Sequence, residues 1–491
     1  MIAASIARQR VATAVAPQGL RRRPAAAAAA VSRPAPRLPR RRRGGVAARV
    51  AQPLERAGSP PPDEEECPLF IDRDGEFVEV MCCDYGFRTG GQSFSRHSGP
   101  TIPPSLIKLA FNTFAQEYTN VRRSFRYGEG GSEYAAIAAA NPPRGPVGRA
   151  LYAAGGAVVA LFARIDIFLE ERKIFSPLLP AGIPKESFDL RVGGLSKQCR
   201  EVRARLKQLK LDNGAVWARE HAREAAGLGV ETPWLVKGVY LALCVFLDKA
   251  YDNRPIQRFW FLETVARMPY FVYISCLHLA ESMGWWRAGA DLRIVHAAEE
   301  WNELHHLQVM ESLGGDVLWW DRFLGTHAAF IYYWVLVGLF VASPSLAYNF
   351  SELIEAHAVD TYGEFVDANE ELLKSLPPPL VAAEYYCGQD LYRMFDAFQT
   401  SDTPRRPKVK NMYDVFANIR DDEKEHVKTM QACQDFTVAG DLAAKEERAL
   451  DEALRAQMRT TAPRQPPGGG GGGGEGGDGD GEGEGGDVRT R

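Results

Sequence analysis

From about residue 233 the chain alternates long runs of apolar and aromatic positions with polar positions at three- and four-residue spacing. That period is helical, because side chains three and four apart share one helix face. The pattern predicts helices over 233–248, 255–283, 290–313, 322–343, 345–373 and 411–435. Gly284 and Gly314-Gly315 suit helix ends, and Pro344 suits a first turn, where its missing donor is not needed. Pro377-Pro378-Pro379 and the stretch 400–407 bracket a long connection before the last helix. The expected class is all-α. The run 323–351 has no Asp, Glu, Lys or Arg, and 328–342 is almost wholly apolar, so by hydropathy it is a membrane-span candidate.

Elsewhere the pattern is weaker. Residues 67–225 offer a short β element at 77–81, Gly-rich loops, an Ala-rich apolar stretch at 149–168 and a charged helix near 196–223. They carry no chemical motif and read as an extension of unknown role, either an accessory region or an insertion. Residues 1–50 contain twelve Arg and no acidic residue, the composition of an organelle transit peptide; a basic arm for nucleic acid is the plainer alternative. A Pro- and acid-rich linker (51–66) follows, and the far end (441–491) is an acidic, Gly-rich tail that cannot bury a core. The formal net charge of −3 therefore hides a basic head and an acidic tail. No basic stripe with interleaved aromatics marks the part expected to fold, about 62–440, which argues against nucleic acid as a partner. The eight cysteines are scattered without zinc or Cys-x-x-Cys spacing and are expected to be reduced thiols and packing residues, with Cys82-Cys83 the one candidate redox handle.

The candidate chemistry lies on the predicted helices. Glu303-x-x-His306 and Glu423-x-x-His426 each place a carboxylate and an imidazole on one helix face. Glu263 and Glu355 are single carboxylates on two further helices, in the chain order Glu, Glu-x-x-His, Glu, Glu-x-x-His. Such a set supplies four Glu and two His to a pair of irons inside a four-helix bundle. A lone Glu-x-x-His is usually a solvated pair, but these carboxylates have apolar neighbours. Phe259, Trp260, Phe261 and Leu262 precede Glu263, and Trp301, Leu304 and Leu307 surround Glu303. A buried, unpaired carboxylate is expensive, and a metal removes that cost. A plain helical bundle with buried ion pairs is the competing reading.

Seven of the nine histidines lie between 278 and 426. His278, His296 and His327 lack a carboxylate at ligand spacing, His305 faces about 100° away from His306, and His357 is two residues from Glu355. Asp422 and Asn302 are candidate hydrogen-bond partners for the imidazoles. Tyr362, seven residues after Glu355, falls on nearly the same face; it is either a hydrogen-atom donor or a core tyrosine.

At LETVARMPYF (262–271), ESMGWWR (281–287), EEWNELHHLQVMESLGGD (299–316), DRFLGTHAAFIYYW (321–334), SELIEAHAVDTY (351–362) and NIRDDEKEHVKTMQACQ (418–434) the chain resembles the alternative oxidase family, in particular its chloroplast branch. The resemblance covers about 235–436. It implies a ferritin-like four-helix di-iron bundle over 233–440 that oxidises quinol and reduces O₂ to water. It also implies Glu263, Glu303, His306, Glu355, Glu423 and His426 as ligands to two iron ions, and Tyr362 as the catalytic tyrosine. Arg258, Leu262 and Thr361 would line the quinol pocket. Expected partners are plastoquinol, O₂, one leaflet of the thylakoid membrane and a second copy of the chain, with links to carotenoid desaturation and chlororespiration.

The long connection 373–410 resembles the plastid branch. One extra residue in the loop 287–291 departs from the family, and 62–225 and the Gly-rich tail have no counterpart in it. Since 323–343 lies between residues that must reach one metal pair, it is expected to dip into a leaflet beside 233–248 without crossing. The protein would then be monotopic, with Phe330, Tyr332, Tyr333 and Trp334 at membrane depth. A mitochondrial-type ubiquinol oxidase, a di-iron hydroxylase or desaturase, and a non-enzymatic iron-binding bundle are the alternatives.

Overall fold

Four long helices meet side by side because each buries a stripe of aromatic and aliphatic residues against the next. In the computed structural model, which describes residues 69–83, 105–127, 132–178, 197–286, 290–388, 391–396, 405 and 407–435, the helices α1 (Leu106–Tyr127), α2 (Glu133–Ala140), α3 (Gly145–Glu171), α4 (Lys197–Leu206) and α5 (Asn213–Arg223) come first. They are followed by α6 (Trp234–Ala250), α7 (Pro255–Ser282), α8 (Ala290–Ser312), α9 (Trp319–Ala342) and α10 (Pro344–Ala368). Short helices α11 (Glu370–Lys374), α12 (Leu380–Cys387) and α13 (Arg393–Asp396) lead to α14 (Met412–Ala432). The described residues are thus predominantly helical, as expected. The segments expected to be transit peptide, linker and tail (1–50, 51–66, 441–491) lie outside the described residues.

Helices α7, α8, α10 and α14 form the bundle: α7 packs on α8, and α10 on α14. Phe259, Phe365 and Phe416 come from three of them and meet as a buried aromatic cluster, with Phe259 stacked 4.2 Å from Tyr362. Helix α9 lies along α7, and α6 and α5 lie on α10. Two glycines let α9 and the turn before it approach closely: a Cβ at Gly315 or Gly325 would collide with Trp260 of α7.

Three expectations on element limits change. The predicted 345–373 helix is two, because Asn369 leaves helical geometry and its amide ties Lys210 O and Phe365 O instead. The charged helix near 196–223 is also two, and Asp212 restarts it by accepting from Gly214 N and Ala215 N. The β element at 77–81 is the strand β2 (Phe77–Glu79), paired antiparallel with β1 (Leu69–Ile71).

The cysteine expectation also fails at one pair. Cys83 and Cys199 form a disulfide, with Cα atoms 5.9 Å apart, joining the segment after β2 to α4. Their spacing of 116 residues left no sequence signature. The same segment continues along the bundle's cover, where Met81 N donates to Pro378 O and Leu380 N to Met81 O.

Helices α1–α3 attach to α9 through polar groups. Glu133 is buried and accepts from Trp319 N (2.7 Å) and Trp320 N (3.2 Å), two of the donors that the first turn of α9 leaves without helical partners. Arg122 and Arg126 clamp Asp166 and Glu170 of α3, and Glu117 meets Arg322 of α9. Much of α3 faces outward: Leu151, Val158, Leu161, Phe162 and Phe168 are exposed. Among the described residues α3 and α9 are long and apolar enough to cross a membrane. Trp234, Leu235 and Phe246 of α6 and Phe330, Ile331, Trp334 and Val335 of α9 are also exposed, whereas Tyr332 and Tyr333 are half-buried and pack inward.

Burial pushes the Glu133 carboxyl up to about 7. A group whose value rises on folding stabilises the fold fully below its unfolded value and loses that contribution as pH rises through the folded value. Docking of α1–α3 should therefore weaken between about pH 5 and pH 8, by at most about 3 kcal/mol. Protection factors of α2 amides, which remove the intrinsic base catalysis of exchange, should fall over that range in the native chain and stay level in Glu133→Gln. Protection of α2 with the same pH trend in both proteins would contradict this origin.

Candidate metal centre

Residues of the four bundle helices converge at its centre. Glu263 comes from α7, Glu303 and His306 from α8, Glu355 from α10, and Glu423 and His426 from α14, and all six are buried. Their polar atoms form two groups, Glu263, Glu303, His306 and Glu423 in one and Glu303, Glu355, Glu423 and His426 in the other. Within each group, one oxygen or nitrogen per residue lies within 4.8 Å of the others. Glu303 and Glu423 belong to both.

The register follows from two antiparallel helix pairs. On α8 and α14, His426 Nδ1 stands 2.9 Å from Glu303 Oε1, and His306 Nδ1 stands 3.3 Å from Glu423 Oε1. The Glu of each motif faces the His of the other. The second pair repeats this with tyrosines: Tyr362 of α10 donates to Glu263 of α7, and Tyr270 of α7 donates to Glu355 of α10 at 3.0 Å. Each tyrosine is seven residues after its own helix's carboxylate, so antiparallel packing brings both onto the other's partner. The seven-residue spacing that marks Tyr362 marks Tyr270 as well.

Several buried atoms here make no well-directed hydrogen bond even where an ionic neighbour is close: Glu263 Oε2, both Glu303 oxygens, His306 Nδ1, and both ring nitrogens of His426. Orphaned polar atoms are costly in a dry interior, and these converge on one another. Burial, followed by the Glu423 and Glu263 charges, holds the Glu303 carboxyl well above its ordinary value. Burial and then Glu423 and Glu303 do the same to Glu355. Burial opposes charge on His306, yet Glu263 and Glu423 push it up to about 10. Burial works against Glu423 too, but contact with His306 and His426 outweighs it and holds that carboxylate below its usual range. The cluster thus has a surplus of negative charge that draws protons to whatever can hold them. Cations satisfy it better, and oxygen with imidazole donors suit iron or manganese. The residues fit a pair of metal ions.

Around this cluster Asp422 holds His306. Its Oδ2 lies 3.1 Å from His306 Nε2 and accepts from Tyr386 OH (2.8 Å) and Asn302 Nδ2 (3.0 Å); its Oδ1 accepts from Tyr392 OH (3.0 Å) and from Arg405. Asn302 therefore supports the imidazole through Asp422, without touching it. Tyr386, Tyr392 and Arg405 belong to the long connection 373–410, which no sequence pattern linked to the centre.

The other histidines lie off the ligand face. His305 stacks on Tyr385 and meets Trp301 O at 2.7 Å, and burial drops it to about 4. His296 is held by Glu299 and Tyr348, and His357 by Glu220 and Tyr240. Of the three residues expected around quinol, Arg258 is buried with its Nη1 on Asn213 and Asp248, Thr361 donates to His357 O at 2.8 Å, and Leu262 is half-buried beside Glu263.

Residues 235–435 match the family model described as alternative oxidase. Over this stretch the chain is similar to alternative oxidases. It is 53% identical over 210 residues to ubiquinol oxidase 4, chloroplastic/chromoplastic, of Arabidopsis thaliana, covering 41% of this chain and 59% of that protein. Mitochondrial ubiquinol oxidases are further away: 28% over 203 residues for that of Mangifera indica, and 25% over 194 residues for ubiquinol oxidase 1b of Oryza sativa subsp. japonica. These alignments cover 40% and 39% of this chain and 54% and 51% of those relatives. The chain therefore spans between half and three fifths of the length of these relatives. Helices α1–α5 lie outside the alternative oxidase match.

The sharing of Glu303 and Glu423 makes the six residues unequal. Glu303→Gln should abolish binding of both metal ions, whereas Glu263→Gln should lose about one of two. Metal content of the purified variants measures this, and equal loss in both would contradict the shared arrangement.

Proposed function

We propose that this protein is a plastoquinol:oxygen oxidoreductase that oxidises two quinols and reduces O₂ to two waters. The observation that carries the reading is the reciprocal, buried arrangement of four Glu and two His whose atoms converge on one another, within the stretch similar to alternative oxidases. Glu263, Glu303, His306, Glu355, Glu423 and His426 would hold two iron ions. Bound there, the irons would supply the redox chemistry between quinol and O₂.

The protein's own residues have distinct tasks. Tyr362 keeps its proton, because burial and then the Glu263 and Glu423 charges raise its phenol well above its ordinary value. Its O–H is directed at Glu263 Oε1, which places a donor beside the centre. Asp422 fixes the His306 ring through Nε2 and leaves Nδ1 facing the carboxylates. The aromatic packing of Phe259, Phe365 and Phe416 excludes water from one side, which limits side reactions. Arg258, Leu262 and Thr361 would receive the quinol head group.

A chloroplast location is supported by the greater likeness to the chloroplastic relative, and plastoquinol is the quinol expected in that compartment. We read the Arg-rich 1–50 segment as its transit peptide. Quinol is lipid-soluble, and the exposed apolar faces of α6 and α9 give the domain a route to one leaflet. Helix α9 lies in sequence between His306 and Glu355, whose side chains share one centre, so it rests in the leaflet without separating them. A homodimer, and service to carotenoid desaturation, complete the reading.

Purified protein with its iron should consume oxygen when given a reduced plastoquinone analogue, faster than with a ubiquinol analogue. Tyr362→Phe should lower kcat by about a hundredfold or more, the range for loss of a positioned proton donor, while metal content stays unchanged. Iron-loaded protein that takes up no oxygen with either quinol would overturn the assignment.

A further inference from the structure

We propose that α5, which lies outside the alternative oxidase match, forms one wall of the quinol pocket, and that Asn213 on it is a positioning residue for Arg258. The inference rests on the reading of Arg258 as the donor to quinol, and it gives a role to part of the extension.

Arg258 is 1% exposed, five residues before Glu263 on α7. Two acceptors grip the same nitrogen: Asn213 Oδ1 lies 2.7 Å and Asp248 Oδ1 2.9 Å from Nη1. The other two nitrogens, Nε and Nη2, are buried and have no partner. A buried guanidinium with one nitrogen doubly held and two without partners is a donor set arranged for an acceptor yet to arrive. Asp248 is itself fixed, because Trp217 Nε1 of α5 donates to its Oδ2 at 3.1 Å and Asn213 Nδ2 approaches its backbone oxygen at 3.5 Å.

The same helix holds a second group. Glu220 Oε2 accepts from Tyr240 OH (2.6 Å) and lies 3.0 Å from His357 Nδ1, so the only His357 nitrogen without a partner is Nε2. The Trp217 ring lies 5.6 Å from that imidazole, and Thr361, one turn on, donates to His357 O. Asn213, Trp217 and Glu220 thus fix Arg258, Asp248 and His357 on three other helices.

The charge balance selects the ligand class. Asp248 already offsets Arg258, so an anionic ligand would meet no net positive charge. A neutral head group with hydroxyl or carbonyl oxygens accepts from Nε and Nη2 without adding charge to a dry site. Quinol and quinone are of that class.

Binding of oxidised decyl-plastoquinone to the full-length iron-loaded protein, followed by quenching of tryptophan fluorescence, tests the inference without turnover. Asn213→Leu should weaken binding about tenfold, equivalent to about 1.4 kcal/mol, and should raise the KM for the reduced analogue with a smaller change in kcat. Asn213→Asp keeps an acceptor and suits a helix first turn, so it should bind within about threefold of the native chain. Should the leucine variant fail to fold by circular dichroism, Asn213→Ala carries the same expectation.

Arg258→Gln separates the two layers. If it weakens binding while Asn213→Leu and Asn213→Ala bind normally, the role of α5 is overturned and the Arg258 reading stands. If Arg258→Gln also binds normally, or the native chain binds no quinone, both fall. Equal losses of melting temperature in the leucine and aspartate variants, with neither altering KM, would reduce Asn213 to a structural contact and also overturn the proposal.

Discussion

Burying four carboxylates and two imidazoles in one dry space is the constraint on which the rest of this structure depends. Unpaired, such a cluster would oppose folding by several kcal/mol for each charge. It is tolerable because the groups are drawn from two antiparallel helix pairs, so every carboxylate faces an imidazole or a phenol on another helix. The remaining atoms then face one another, where a pair of cations would complete them. The alternation of Glu with Glu-x-x-His along the chain is what an antiparallel bundle needs to build two ligand groups that share Glu303 and Glu423.

Around that centre the protein spends polar groups to hold geometry. Asp422 gathers Tyr386, Tyr392, Asn302 and Arg405 so that one imidazole keeps one orientation. His426 has no such partner and packs against the rings of Tyr270 and Phe395. The two halves are therefore alike in ligands and unlike in support. Asp422 and its tyrosines lie on the His306 side, and Tyr270 contacts Glu355 on the other.

The bundle and its six central residues were legible in the sequence because their evidence is local. A spacing of three puts Glu and His on one face, a spacing of seven adds a tyrosine two turns away, and aromatic neighbours imply burial. What remained hidden depends on contacts between residues far apart in the chain. The Asn213–Arg258 bond, the Cys83–Cys199 disulfide and the Tyr386–Asp422 bond each join polar residues without shared periodicity. The split of 345–373 at Asn369 was also hidden, because the asparagine's alternative partner, Lys210, lies 159 residues away. The apolar stretch at 149–168 was visible as composition, but its outward-facing residues became apparent only once α3 was placed beside α1.

The central claim is that one centre with shared carboxylates holds two metal ions. Mössbauer spectroscopy of the full-length protein loaded with iron-57, together with its iron content, tests it most directly. Two irons per chain giving the signal of a magnetically coupled pair are the expected result, since Glu303 and Glu423 would serve both sites. Two uncoupled irons, a single iron, or coupled irons that persist after Glu303→Gln would contradict it.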